Sequence, residues 1–457
     1  MKIPAALHAP LRRFLSPDLQ KLARASSWTI LASATTASLF LLEVMLLARY
    51  LPPELLGAYF LIISFPELVQ LILDVRVREL MTRYVALFLA RGEPGRTVAV
   101  IKLLWLADVT IALLALIVMV GLSRPAAVAL FGRPDYAPLM MVYSLGLFFD
   151  SLDSASGALL RVLDRFDLAF WGGLASSLGR LGLIVGVVVA RGPLGWLIAA
   201  RAAALVLDTL LLGALSLREG WKLLGPHYRA PLRDLAEFRG EIFRFAFHIN
   251  ISSTARALAT KLDVVVVGLL LTPAAVAVYK LATQFAKTPT VFTDALSTAL
   301  YPQFARLAGQ RDPARIGALV RRLTVLMAAL IVPAGLALVW LREPLVRAFA
   351  GAGYSGYATL FVLAAGSTLL AAVGLWVRPY LLSSGLGRVL TLSHVGSLGV
   401  GMLVLVALTR PYGVVGAVIG YAVMSGLIVP LGLLQLARRP RPAAGAPLPV
   451  PLSEEAA

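Results

Sequence analysis

Apolar residues gather along this chain into twelve stretches, each close to the roughly 20 residues that a helix needs to cross about 30 Å of hydrocarbon. They lie near residues 25–48, 55–75, 100–122, 138–160, 169–190, 193–216, 244–270, 275–299, 317–341, 357–382, 388–408 and 412–436. Turn signals separate several of them: Leu51-Pro52-Pro53, Gly132-Arg133-Pro134, Arg191-Gly192-Pro193, Thr272-Pro273 and Arg410-Pro411. The first stretch is too long for a cleaved signal peptide and runs directly into a second span. The pattern predicts an all-α polytopic membrane protein.

The spans repeat. Residues 21–91 align without a gap on residues 241–311, and 14 of the 71 pairs are identical, among them Pro53/Pro273, Tyr59/Tyr279, Phe65/Phe285 and Asp74/Asp294. Glu43 faces Asp263 in the same register, acid against acid inside a membrane segment. An offset of 220 residues covers six spans, an even number, so both copies enter the membrane in the same direction. The expected architecture is two six-helix bundles related by a pseudo-two-fold axis along the membrane normal, with a substrate path between them. The expected boundaries are an N-terminal arm over 1–24, a first bundle over 25–217, a linker over 218–243, a second bundle over 244–437 and a disordered Pro/Ala-rich tail over 438–457. A short interfacial helix is expected within residues 1–20.

Composition agrees with this and narrows it. The 457 residues are 59% hydrophobic and 14% charged, too apolar for water. Their net charge of +18 would suggest nucleic acid in a soluble chain. Sorted by topology, however, with Lys102, Arg244, Arg321, Arg322 and Arg388 at the span starts counted with the loops before them, 28 of the 42 basic residues fall in loops and tails on one side, 7 on the other and 7 inside spans. The positive-inside rule then puts both termini in the cytoplasm, and the excess charge implies no nucleic-acid partner. With no cysteine and four scattered histidines, no disulfide and no local metal motif is expected. His248 and His394 read as packing or hydrogen-bonding residues.

The ionisable residues inside the spans carry the chemistry, because such groups are costly in lipid and mark cavities or pairs. The first six spans hold seven acids against Arg180 and Arg201, a net of −5. The last six hold Arg256, Lys261, Lys280, Lys287 and Arg378 against Asp263 and Asp294, a net of +3. Helical spacing puts Lys280, Gln284 and Lys287 on one stripe, and Glu67 occupies the position that the repeat equates with Lys287. Arg256, Lys261, Lys280, Lys287 and Arg378 are therefore candidate ligands of an anion such as a diphosphate. Against this stand an interlobe ion pair, for example Glu67 with Lys287, and snorkelling by Lys261 or Arg378. Glu43, Glu67 and Asp263 are candidate cavity or ion-coupling acids for H⁺ or Na⁺. Asp150 and Asp153 form an Asp-x-x-Asp pair that could hold Mg²⁺ in a prenyltransferase, but no second acid-rich motif accompanies it. Neither a catalytic residue nor a resident cofactor is expected.

The stretch Ala48-Arg49-Tyr50-Leu51-Pro52-Pro53-Glu54-Leu55-Leu56-Gly57-Ala58-Tyr59 resembles the start of the polysaccharide exporters and O-antigen flippases of the MOP superfamily, which also holds lipid II flippases and MATE drug exporters. Lys261-Leu262-Asp263, Gly268, Val278-Tyr279, Leu281-Ala282, Pro289 and Tyr301-Pro302 are similar to the start of that family's second lobe. Pro52 stands where the family usually has glycine, and Ala277 replaces a glycine two residues before Tyr279. The resemblance implies a flippase that moves a polyprenyl-diphosphate-linked oligosaccharide to the outer leaflet of the cytoplasmic membrane by alternating access. It would work beside glycosyltransferases and a polysaccharide polymerase and would contact membrane lipids. The alternative is a MATE-like exporter of small organic cations bound by the acidic half. A membrane-embedded glycosyltransferase or polymerase fits less well, because the loop between spans three and four is about 15 residues long and offers Asp135 as its one acid.

Overall fold

A computed structural model describes residues 17–74, 76–310 and 313–437. The expected arm up to residue 16 and the tail from 438 lie outside the described residues. Among the described residues the chain is all-helical, without a strand. The first half runs α1 (Pro17–Tyr50), α2 (Pro53–Leu73), α3 (Val77–Ala90), α4 (Pro94–Phe131), α5 (Ala137–Val162), α6 (Phe166–Val189) and α7 (Leu194–Leu224). Short 3-10 turns over Gly225–His227 and Leu232–Phe238 lead into the second half. That half runs α8 (Arg239–Leu270), α9 (Pro273–Lys287), α10 (Thr290–Gly309), α11 (Pro313–Trp340), α12 (Arg342–Ala350), α13 (Ala358–Val373), α14 (Val377–Ser383), α15 (Gly387–Tyr412), α16 (Val414–Gly426) and α17 (Ile428–Ala437).

The twelve expected spans are all helical, but some are interrupted. The eighth breaks at Pro289 into α9 and α10, the tenth at Gly374 into α13 and α14, and the twelfth at Leu427 into α16 and α17. The second is followed by α3 across Asp74 and Arg76, where Arg76 takes a left-handed backbone with φ 56°. Asp74 holds this break by accepting the Arg76 N–H at 2.9 Å and its guanidinium at 3.4 Å. Among the described residues, nine helical stretches are long and apolar enough to cross a membrane. The three spans missing from that set, α5, α8 and the α9–α10 pair, are ones loaded with charge: Asp150 and Asp153, Lys261 and Asp263, Lys280 and Lys287.

Three apolar cores show how the halves meet. We call the side on which Pro17 and Ala437 lie the terminal side, and the opposite one the far side. One core at the far side joins both halves, from Leu47, Tyr59 and Leu61 to Val276, Tyr279 and Phe361. On the terminal side the cores are separate. Tyr84, Phe88, Val100 and Leu159 build one under the first half, and Phe304, Met327, Trp376 and Leu381 build the other under the second. Among the described side chains the halves are therefore joined on the far side and separate toward the terminal side.

The far-side closure depends on close backbone approach of α2 to α9. A Cβ on Gly57 would stand 1.6 Å from the Pro273 carbonyl oxygen, and one on Gly268 would stand 2.3 Å from a Leu61 methyl. Arg49 adds a guanidinium hydrogen bond to the Ala348 carbonyl. On the terminal side, the first turns of α8 pack on the first half: Ile242 joins its core, and Arg83 lies 4.3 Å over the Phe245 ring. Tyr84 donates to Glu241 at 3.2 Å; burial, and then the Glu241 charge, push its phenol up to about 12, so it stays a donor at neutral pH.

Because no cysteine competes for reagent, the closure can be probed with introduced thiols. In a Gly57→Leu background, Cys at position 277 should become reactive to a membrane-impermeant thiol reagent added from the far side, whereas it should stay protected beside the native glycine.

Candidate functional site

Two acids related by the repeat sit deep in the two halves and are neutralised in different ways. Glu43 on α1 is 2% exposed and is gripped by two arginines, Arg180 Nε of α6 at 3.0 Å and Arg201 Nη1 of α7 at 3.0 Å. Asp263 on α8 accepts the Tyr279 hydroxyl at 2.8 Å and the Val264 N–H at 2.8 Å. The matching tyrosine of the first half, Tyr59, is also buried, but its hydroxyl has no hydrogen-bond partner because the arginines hold the acid instead. At positions 220 residues after Arg180 and Arg201 the second half has Val400 and Tyr421.

Where α2, α4 and α5 of the first half face one another lies a cavity of about 150 Å³, to which α8 of the second half contributes Lys261. Its walls carry Glu67 and Asp74 from α2, Asp108 from α4, Asp150 from α5 and Lys261 from α8. Lys261 forms an ion pair with Glu67, a direct bond from one half to the other. Tyr143 donates to the second Glu67 oxygen at 2.9 Å, so the acid is fixed from both sides. The Lys261 side chain is 41% exposed and Glu67 20%, which leaves the pair open to the cavity water. Gln70 is tied to Ser151 at 2.8 Å and stiffens the wall between α2 and α5.

The cavity differs from the cationic one expected from sequence. Of the five candidate basic residues, Lys261 alone lines it among those whose side chains are described, against four carboxylates. Lys280 is half-buried on α9, within electrostatic reach of Lys261, Glu67, Asp263 and the exposed Lys287. Arg378 is exposed on the short α14, near the separate terminal-side core of the second half. Arg256 lies on α8, but its side chain is outside the described residues, as are those of His248 and Asp294. The Glu67 pair forms with Lys261 rather than Lys287, because Lys261 on α8 is the lysine that shares the cavity with Glu67. Glu43 and Asp263 do not line the cavity, since arginines enclose the first and a tyrosine and the backbone satisfy the second. His394 bonds the Leu390 carbonyl at 2.8 Å, in keeping with a structural role.

Sequence reasoning counted Asp74, Asp108 and Asp150 among the intramembrane acids but did not group them. α2, α4 and α5 are neighbours in the fold, which brings the three acids to one cavity. The Arg180 and Arg201 partners of Glu43 could have been suspected, as they are the two basic residues deep within the first six spans, Lys102 lying at the start of the third. Removing one partner from such a buried network leaves uncompensated charge, at a cost of about 3–5 kcal/mol. Glu43→Gln should therefore lower the unfolding midpoint of the purified protein, and a variant of native stability would contradict the network role.

A family model described as "Polysaccharide biosynthesis protein" matches residues 46–359. Among solved structures, an inward-facing multidrug resistance MATE family transporter of the MOP superfamily is similar with a TM-score of 0.70 and 14% identity, over 88% of this chain and 93% of that one. An outward-facing multidrug resistance MATE transporter gives a TM-score of 0.59 at 14% identity, over 91% and 94%. The lipid II flippase MurJ, in an inward closed conformation, gives 0.62 at 18% identity, over 90% and 87%. No curated protein matches by sequence.

Proposed function

This chain belongs to the polysaccharide biosynthesis protein family, and on that premise we propose that it is a flippase for a polyprenyl-diphosphate-linked oligosaccharide. The observation that carries the reading is the charge meeting at the cleft: the second half brings Lys261 to an acidic cavity of the first half, with Lys280 within electrostatic reach of the same pair. A diphosphate entering from the terminal side meets Lys261, while the prenyl tail stays in lipid and the sugar occupies the cleft. The excess of basic residues on the terminal side makes that side cytoplasmic, so loading occurs from the inner leaflet. The same rule places both termini there. Glycosyltransferases would supply the substrate and a polymerase would consume it.

The Glu67–Lys261 pair gives the cycle a trigger. A dianionic headgroup competes with Glu67 for Lys261, and winning that competition removes an ionic bond between the halves. Rocking of the two bundles then opens the far side, where α2 and α9 now meet over Gly57. No covalent chemistry is involved.

A second reading draws on the four cavity carboxylates, which would suit a small organic cation. The two are separated by binding to the purified protein: a short-chain prenyl diphosphate should bind and a cationic dye should not, the reverse favouring cation export. Neutralising Arg256, Lys280 and Lys287 together to Gln should abolish polysaccharide export and diphosphate binding while the protein still folds, and a fully active triple variant would end the anion assignment. Exchanging the pair, Glu67→Lys with Lys261→Glu, should restore folding but not flipping, because the ammonium then sits on the wrong half. Full activity of the exchanged protein would reduce the pair to a brace.

A further inference from the structure

Most of the acids around the cleft are spoken for. Glu43 is held by two arginines, Asp263 by Tyr279 and its own backbone, Glu67 by Lys261 and Tyr143, and Asp74 by Arg76. Asp108 differs. It stands on α4 with 8% of its surface exposed; like Asp153 and Asp208 it keeps a buried carboxylate oxygen, here Oδ2, without a hydrogen-bond partner among the described residues, and of these three it is the one that lines the cavity.

Among the described residues the charges around it offer no compensation. Asp74 from α2 and Asp153 from α5 act on it with the same sign, and Glu67 and Asp150 line the same cavity. Lys261 of α8 faces that cavity too, but is engaged by Glu67. The other elements packed on α4 meet it elsewhere. Near its start, where α3 and the 3-10 turns pack, Arg96 is held by Glu93 and Glu237, and Lys102 donates to the Ala230 carbonyl. Beyond its far end Arg133 pairs with Asp135.

A bare carboxylate in such a place is costly, and binding a cation removes the cost. A metal cation needs several oxygen ligands around it, whereas a proton needs one carboxyl oxygen, and Asp108 Oδ2 is buried with no polar partner of its own among the described residues, so the cation that fits is a proton on this carboxyl. We propose that Asp108 is a proton-binding site of this transporter, filled while the cleft is open to the terminal side. When the bundles rock, the carboxyl is re-exposed to the other side, so the proton is released there. Geometry had already removed Glu43 and Asp263 from the cavity; this assignment moves proton coupling from them to α4. It holds for an anionic or a cationic substrate and does not depend on the flippase reading.

The test needs no transport. The full-length protein in lipid nanodiscs is titrated with protons alone, in Na⁺-free buffer, while infrared difference spectra follow the protonated-carboxyl C=O band. Asp108→Asn should lose one component of the wild-type band, and Asp108→Glu should keep it at a shifted frequency. Thermal unfolding gives a second readout: raising the pH should lower the wild-type midpoint more than that of Asp108→Asn, because only the wild type must then carry the unpaired charge. A spectrum unchanged in both variants overturns the assignment. So does loss of the band when Na⁺ is added at constant pH, which would make the site one for a metal cation. Should Asp108→Asn fail to fold, the frequency of the Asp108→Glu band decides alone.

Discussion

A charge in a medium without water must find a partner, a dipole or a wet surface, and the arrangement of these helices follows from that requirement. Helices such as α4, α6, α11 and α15 leave many leucines and valines exposed, including Leu113, Val185, Leu326 and Leu403, as lipid-facing surfaces should. Helices that carry charge turn inward. Glu43 meets Arg180 and Arg201, Asp263 meets Tyr279, and Glu67 and Lys261 share a bond at the edge of water. These are three solutions to one problem, and together they decide which faces are buried and which line the cleft.

Duplication supplied the frame and divergence the polarity. Proline, tyrosine and acid positions recur at an offset of 220 residues, so both halves bring an equivalent helix, α2 or α9, to the far-side seam. The differences fall on charge. Glu67 faces Lys287 across the repeat. The first half thus lines the cavity with carboxylates while the second brings Lys261 to it. The seam itself is also unequal: Gly57 lets the Pro273 carbonyl approach, whereas its counterpart Ala277 keeps a methyl, fully buried.

A single far-side core with two separate terminal-side cores is the geometry of two levers joined at one end. The first turns of α8 complicate the division, since Ile242 and Phe245 pack on the first half while Val264 and Val267 enter the joint core. This helix spans both bodies, and any rocking must bend it or slide its first turns.

Much of this was legible from the chain alone. Hydropathy is a local property read in windows of about 20 residues, so the spans, their order and the repeat follow from sequence. Breaks at Pro289 and Gly374 were blurred, because an apolar window does not register one lost hydrogen bond. The expectation of an anion cavity named Lys261 and Glu67 as cleft residues, yet could not tell that they would bond to each other or that Asp74, Asp108 and Asp150 would join them. Those meetings connect residues 158 apart for Glu43 with Arg201 and 194 apart for Glu67 with Lys261. Sequence determined which charges enter the membrane and on which helices; the packing of α2 against α4, α5, α8 and α9 decided which of them neutralise one another and which remain facing water, because pairing depends on distance across helices and not along the chain.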